Sequence, residues 1–168
     1  MNGGMELYLH MPFCVRKCAY CDFLSFPTDQ ETQNLYTRRL REDIDAMGKK
    51  YGDIPVDTIF IGGGTPSVPD SALIVGIMEH VRKAFHVAEG AEISMEANPG
   101  TVTREKLTDY RRAGINRLSF GLQSANDREL KLLGRIHTWA EFLESFHLAR
   151  ECGFTNINID LMSALPGQ

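Results

Sequence analysis

Apolar positions along the chain follow two alternating patterns, one typical of strands and one typical of helices. Short apolar or alternating runs predict β-strands over residues 6–11, 56–61, 92–97, 116–122 and 155–162. Between them, helical periodicity and capping residues predict helices over residues 30–49, 69–85, 103–113 and 138–152, the last opened by a capping box at Thr138 and Glu141. This alternation predicts an α/β fold built from parallel βα units.

The predicted strands carry polar side chains on one face, which is unusual for a parallel sheet covered by helices. Ser94 and Glu96 oppose apolar neighbours in one strand, and Asn158 and Asp160 do so in another. Strands buried on both faces normally form continuous apolar runs, and burying unpaired polar groups is costly. We therefore predict an open, partial barrel whose concave face holds a large polar ligand. An antiparallel sheet with one solvated face is the alternative, which the helical connections disfavour.

Length, charge and hydropathy indicate which classes of protein the chain can belong to. The chain has 168 residues, 43% of them apolar, and a formal net charge of −4 at pH 7. This length suits one domain, and the charge gives no general reason to bind nucleic acid or anionic membranes. The N-terminus lacks the features of a signal peptide, and no stretch reaches the ~20 apolar residues of a membrane span. We expect a cytoplasmic protein without a transmembrane segment, in which cysteines stay reduced.

Three of the four cysteines, Cys14, Cys18 and Cys21, lie close together in the segment that leaves the first predicted strand. Thiolates at such short spacings are typical of iron–sulfur clusters, and three of them on a four-iron cluster leave one iron open to a small molecule. Structural zinc is the alternative, with His10 or Cys152 as the fourth ligand, and three unligated buried cysteines are a third interpretation. The spacing favours the cluster, because zinc sites usually separate their ligand pairs by a longer insert.

The other predicted strands also end in residues suited to ligand binding. Residues 61–66, Ile-Gly-Gly-Gly-Thr-Pro, follow the second strand, where glycines let the backbone approach a ligand closely; a tight turn is the alternative. Glu96, Gln123 and Asp160 stand near the ends of the next three strands, and each alone has a structural explanation as a cap or an ion-pair partner. Because the carboxyl ends of parallel strands share one edge, the set predicts a site for a cofactor with amine, carboxylate, ribose and adenine parts.

The motifs resemble a known superfamily. Cys-x3-Cys-x2-Cys with Tyr20 before the last cysteine, together with Gly-Gly-Gly-Thr-Pro, is similar to the radical S-adenosylmethionine (SAM) superfamily. Residues 8–14, 114–123, 133–137 and 158–161 look like the oxygen-independent coproporphyrinogen III oxidase family, and the likeness runs from about Glu6 to Gln168. The resemblance implies a partial (β/α)6 TIM-like barrel, truncated here after about five strands. Residues 1–168 would then be an incomplete radical SAM core domain without a sixth strand and a C-terminal domain, which we expect to be inactive by itself and poorly soluble.

The resemblance also assigns residues to cofactors. It implies that Cys14, Cys18 and Cys21 ligate a [4Fe–4S] cluster, which cleaves SAM reductively to a 5′-deoxyadenosyl radical. The residues implied to contact SAM are Tyr8, Gly63, Gly64, Thr65 and Glu96, and those implied to form the second SAM site of decarboxylating members are Tyr20, Gln123, Arg135 and Asp160.

One position distinguishes two branches of that family. Coproporphyrinogen dehydrogenases carry a further cysteine two residues after the third cluster cysteine, and Phe23 stands there in this chain. This departure is similar to the haem chaperone branch, which keeps the cluster and SAM but delivers haem to apoproteins. The implied partners are haem or another tetrapyrrole, an electron donor such as flavodoxin or ferredoxin, and haem-receiving apoproteins. Oxidative decarboxylation of coproporphyrinogen III in porphyrin biosynthesis is the enzymatic alternative, and a zinc-stabilised α/β domain without a redox role is the second.

Overall fold

Strands and helices alternate along residues 4–168, the part of the chain that the computed structural model describes. The strands are β1 Met5–Met11, β2 Val56–Gly63, β3 Val87–Ala97, β4 Arg117–Gln123 and β5 Asn156–Leu161. The helices are α1 Gln30–Tyr51, α2 Ser71–Ala84, α3 Arg104–Arg112, α4 Asp127–Leu132 and α5 Trp139–Glu151. The capping box predicted at the start of α5 is confirmed, because Thr138 and Glu141 bond each other's backbone N–H groups. None of the helices in this range is long and apolar enough to cross a membrane.

The five strands form one open sheet in the order β1-β2-β3-β4-β5. All four pairings of neighbouring strands are parallel. The predicted α/β class is therefore confirmed, and the antiparallel alternative is wrong. Because every strand runs in the same direction, the segments that follow the five strands all leave from one edge of the sheet. The cysteine segment, the glycine segment and the later candidate residues are thereby brought to the same side of the molecule.

Two elements begin two or more residues away from the predicted start. β3 starts at Val87 rather than at residue 92, because Val87 pairs with Val56 at the amino end of β2 before the register shifts. α2 starts at Ser71 rather than at Pro69, because the side chain of Asp70 caps its first turn. Neither change moves a residue at the carboxyl edge of the sheet, so the candidate site is unaffected.

The hydrophobic core lies between the sheet and its helices. Its fully buried strand residues include Ile59, Ile61, Met95, Leu118 and Phe120. The opposite face of the sheet carries the predicted polar side chains, of which Ser94 and Ser119 are buried. The hydroxyl of Ser94 donates to Glu92 at 2.9 Å and accepts from Arg117 at 2.9 Å. Buried hydroxyls on this face are thus satisfied by polar neighbours on the same face, as buried polar groups generally are.

Candidate functional site

The cysteine segment after β1 is closed at its base by backbone pairing. Phe13 and Phe26 form an isolated parallel bridge. The N–H of Cys14 donates to the carbonyl of Phe26 at 3.2 Å, and the N–H of Phe26 donates to the carbonyl of Pro12 at 3.0 Å. A further bond of 3.2 Å, from the N–H of Cys21 to the carbonyl of Cys18, shapes the turn between these two cysteines. The segment is therefore a closed loop, called here the cysteine loop (residues 13–26).

The glycine segment after β2 is bonded directly to the cysteine loop. The N–H of Gly64 donates to the carbonyl of Met11 at 2.8 Å, and the N–H of Thr65 donates to the carbonyl of Phe13 at 2.6 Å. A Cβ on Gly64 would lie 2.6 Å from the carbonyl oxygen of Phe13. Gly63 has a φ of +118°, and a Cβ there would lie 2.5 Å from the His10 ring. A side chain at Gly64 would push the two loops apart, and one at Gly63 would collide with His10 of β1, which explains why glycine occupies both.

A cavity of about 390 Å³ opens at this edge of the sheet. It brings together eleven of the twelve site residues expected from the sequence, namely Cys14, Cys18, Tyr20, Cys21, Gly63, Gly64, Thr65, Glu96, Gln123, Arg135 and Asp160. Tyr8 is not among its lining residues. The Tyr8 ring stacks on Phe60, its hydroxyl lies 3.0 Å from Nδ1 of His10, and the residue is 58% exposed. The structure thus collects residues from five strand ends and leaves Tyr8 beside the cavity.

Glu96 is a half-buried carboxyl group at the end of β3. Its Oε2 accepts the N–H of Gly63 at 2.9 Å, which ties β3 to the glycine segment. Burial, and secondarily the charge of Asp160, raise the pKa of Glu96, while the bond from Gly63 and the charge of His10 oppose the shift. A carboxylate held in this way can accept hydrogen bonds from an amine or hydroxyl of a ligand in the cavity.

Asp160 and Gln123 line the cavity from the last two strands. The carboxylate of Asp160 accepts bonds from Ser119 at 3.2 Å and from Asn158 at 2.7 Å. Gln123 ends β4 with a φ of +72°, and the register of β4 against β5 shifts between Gly121 and Gln123. Non-glycine residues in this conformation are uncommon and concentrate at functional sites.

Arg135 connects three parts of the site. Its Nη2 donates to Oδ1 of Asn98 at 2.6 Å and to the carbonyl of Gly121 at 2.5 Å. Its Nη1 lies 3.6 Å from Sγ of Cys18 and 3.5 Å from the hydroxyl of Tyr20. Burial raises the pKa of Tyr20, and the Arg135 charge opposes that shift. One guanidinium therefore contacts the cysteine loop, the end of β3 and the backbone of β4.

Several residues that line the cavity were not expected from the sequence as cofactor contacts, although Phe23 was singled out there for another reason. These are Arg16, Lys17, Phe23, Ala97, Asn98, Ser119, Gly121 and Met162. For Asn98 the available signal was its position, because the Asn98-Pro-Gly100 turn directly follows β3. For Ser119 the signal was strand alternation, since it shares a face with Gly121 and Gln123.

The family follows from comparison with known proteins. The family model described as "Radical SAM superfamily" matches residues 8–168. The chain belongs to the radical SAM superfamily. The sequence-based resemblance is confirmed at this level, and cluster and SAM binding are what membership implies.

This radical SAM chain is similar to longer curated proteins. It is 44% identical to the "Heme chaperone HemW" of Escherichia coli (strain K12) and 38% identical to that of Bacillus subtilis (strain 168). These alignments cover 98% and 96% of the chain but 44% and 43% of the relatives, so the chain spans less than half of their length. Among solved structures, coproporphyrinogen III oxidase (HemN) from Escherichia coli superposes on all of it with a TM-score of 0.91 at 32% identity, and 39% of that protein is covered.

The cysteines of this radical SAM chain fit a cluster better than the zinc site considered from the sequence. Both ring nitrogens of His10 have other partners, at 3.0 Å from the hydroxyl of Tyr8 and 3.0 Å from the carbonyl of Leu24. Cys152 caps the end of α5, before β5, and its sulfur faces the carbonyl of Arg104 at 3.9 Å. Within residues 4–168 no three His, Cys, Asp or Glu side chains are grouped to hold a metal ion.

The ligands of a single metal ion must converge on one point. The thiolates of a four-iron cluster lie further apart, because each ligates a different iron atom. Cys14, Cys18 and Cys21 are free thiols that line one cavity from one closed loop. Polar groups of Thr65 and Arg135 lie at 3.7 and 3.6 Å from two of the sulfurs. Hydrogen-bond donors around the thiolates are the usual surroundings of such a cluster.

Proposed function

We propose that residues 1–168 are the cluster- and SAM-binding core domain of a haem chaperone. The observation that carries this proposal is the 44% identity to a haem chaperone along 98% of the chain. Phe23 supports the same branch, because the dehydrogenase branch is expected to have a cysteine there. As the chain spans 44% of that relative, the haem-handling activity belongs to the whole protein, and this domain supplies part of it.

Cys14, Cys18 and Cys21 are the proposed ligands of a [4Fe–4S] cluster. Bound there, the cluster would supply an iron atom that no cysteine of this chain ligates and that could bind SAM. The chain's own residues line the cavity around it. Glu96 offers a carboxylate near the backbone of Gly63, and such a group accepts from an amine or a ribose hydroxyl.

The remaining proposed SAM contacts follow from the same chemistry. Gly64 and Thr65 present backbone and hydroxyl groups to the cavity. Tyr8 lies beside the cavity, and its hydroxyl contacts the ring of His10, which packs against Gly63. A second SAM molecule is proposed to lie against the part of the cavity lined by Tyr20, Gln123, Arg135 and Asp160. The guanidinium there suits a carboxylate and the aspartate suits hydroxyl groups.

Haem is the proposed cargo, and the exposed Phe23 on the cysteine loop offers an apolar surface beside the cavity. A small electron carrier such as flavodoxin or ferredoxin is the proposed reductant of the cluster. The recipients are proposed to be haem-binding apoproteins, and the cytoplasm is the proposed compartment.

Oxidative decarboxylation of coproporphyrinogen III is the second candidate function. The observation that favours it is the TM-score of 0.91 against coproporphyrinogen III oxidase, which is higher than a shared superfamily fold requires. Phe23 counts against it, since the position lines the cavity and lacks the thiol expected of the dehydrogenase branch.

Anaerobic reconstitution with iron and sulfide tests the proposal. We expect about four irons per chain and an electron paramagnetic resonance signal of the reduced cluster that changes when SAM is added. Alanine variants of Cys14, Cys18 and Cys21 should lose the iron, while Cys152→Ala, the matched control at the other edge of the sheet, should retain it. One zinc per chain in place of the cluster would refute the proposal.

Haem and coproporphyrinogen III separate the two candidate functions. The whole protein that contains this chain should bind haem in a stoichiometric titration followed by the Soret band, without turnover of coproporphyrinogen III. Reductant-dependent formation of decarboxylated porphyrinogen by the same preparation would replace the chaperone assignment with the enzymatic one.

A further inference from the structure

Asn98 joins the surroundings of two cysteines that are distant from it in the sequence. Its Nδ2 lies 2.8 Å from Oγ1 of Thr65, which lies 3.7 Å from Sγ of Cys14. Its Oδ1 lies 2.6 Å from Nη2 of Arg135, whose Nη1 lies 3.6 Å from Sγ of Cys18. A continuous path of side-chain contacts therefore runs from one cysteine to the other across the ends of β2 and β3.

Arg135 determines the direction of the two hydrogen bonds made by the Asn98 side chain. A guanidinium has donors and no acceptor, so the atom of Asn98 that faces it must be the amide oxygen. The amide nitrogen then faces Thr65 and donates to its hydroxyl oxygen. A cysteine that ligates a cluster is a thiolate without a hydrogen of its own, so in the Thr65–Cys14 contact the hydroxyl of Thr65 is the donor and the sulfur the acceptor. Both sulfurs thus face donors from a single network.

The main chain holds Asn98 firmly in place for this role. Its N–H donates to the hydroxyl of Ser67 at 3.2 Å, and its carbonyl accepts from the hydroxyl of Thr101 at 2.7 Å and from the N–H of Thr101 at 3.1 Å. Ser67 is fully buried. An amide anchored on both sides of its backbone has little freedom to reorient, which is what a residue that orients others requires.

We infer that Asn98 is a positioning residue that directs hydrogen bonds onto Cys14 and Cys18 and thereby raises the reduction potential of the cluster these cysteines hold. The inference rests on the proposed [4Fe–4S] cluster. The physical reason is that donors to cluster thiolates stabilise the reduced, more negative state relative to the oxidised one. Asn98 itself touches neither sulfur, and acts through Thr65 on one side and Arg135 on the other.

The test is the midpoint potential of the reconstituted cluster, measured without SAM so that ligand binding does not contribute. Asn98→Ala should lower the potential so that the ratio of reduced to oxidised cluster at a fixed potential falls roughly tenfold, which equals about 59 mV for a one-electron couple. Asn98→Asp should lower it at least as much, because a carboxylate still accepts from Arg135 but draws the hydroxyl hydrogen of Thr65 away from Cys14.

Asn116 provides the matched control. It also bridges two backbone positions of β3, accepting the N–H of Ile93 at 2.8 Å and donating to the carbonyl of Ala91 at 2.8 Å, but it does so before β4, at the opposite edge of the sheet. Asn116→Ala should therefore weaken the fold and leave the potential unchanged. Thr65→Val, which removes one hydroxyl at nearly constant volume, should lower the potential by itself. In the Thr65→Val background, Asn98→Ala should lower the potential by less than it does in the wild type.

The outcomes separate this inference from the proposed function. Iron missing from the wild-type chain would refute the cluster, whereas a wild-type cluster whose potential is the same in Asn98→Ala and Asn98→Asp would overturn only the role of Asn98. An equal shift in Asn116→Ala would also overturn it. If Asn98→Ala unfolds, Thr65→Val decides, since an unchanged potential in that variant contradicts the path to Cys14 and a lower one supports it.

Discussion

Replacing Gly63 by alanine should destabilise the fold through two separable effects. The first is backbone strain, because a φ of +118° costs an L-residue about 1–3 kcal/mol. The second is a clash, because the new Cβ would lie 2.5 Å from the ring of His10. Moving that ring breaks its contacts with Tyr8 and Leu24, each worth about 1 kcal/mol. The expected loss in the free energy of unfolding is therefore about 3–5 kcal/mol.

Urea or thermal unfolding of four variants measures these effects separately. Gly100→Ala is the control for strain, because its φ of +78° is also positive and nothing lies within 4 Å of the position of its Cβ. We expect it to lose about 1–2 kcal/mol, or roughly 2–8 °C in melting temperature for a chain of this size. In the His10→Ala background the clash is absent, so Gly63→Ala should then cost about as much as Gly100→Ala. Equal costs of Gly63→Ala and Gly100→Ala in the wild-type background would refute this reasoning.

Three further predictions concern stability. Burial and the charge of Arg135 lower the pKa of His137 from 6.5 to about 4. The stability that its neutral form contributes is therefore complete above pH 6.5 and is lost as the pH falls toward 4. The urea midpoint should drop more between pH 7 and 5 in the wild type than in His137→Gln. Phe142→Ala should cost about 3–5 kcal/mol in chemical unfolding, clearly more than Trp139→Ala, because Phe142 is buried and Trp139 is at the surface. Thr138→Ala should cost about 1 kcal/mol by removing the cap of α5, and an unchanged midpoint would contradict that role.

The architecture could be predicted from the sequence because parallel βα units leave a strong double periodicity. The carboxyl edge of the sheet then followed from parallel pairing, which placed Glu96, Gln123 and Asp160 together without any knowledge of contacts. The start of β3 could not be predicted, because it depends on Val87 pairing with Val56, and the residues between 87 and 92 have no strand alternation of their own.

The two departures at the site have physical causes. Tyr8 was expected in the site because the family resemblance implies a SAM contact there, but it lies three residues before the end of β1, about 10 Å from the edge at ~3.3 Å per residue. Asn98 was missed because its importance depends on Arg135, which is 37 residues later and reaches it from the turn after α4. Contacts of this kind depend on tertiary packing, and local patterns do not contain them.

The spatial order of the strands, which is the same as their order along the chain, has a consequence for biosynthesis. Translation delivers the N-terminal part first, and in this strand order each new strand can pair with the one synthesised before it, so that no pair has to reopen to admit a later strand. The thiols leave the ribosome first, residues 64 and 65 then clamp their loop, and Asn98, Arg135 and Asp160 follow in turn. The pocket is completed outward from the cysteines, in the direction of synthesis.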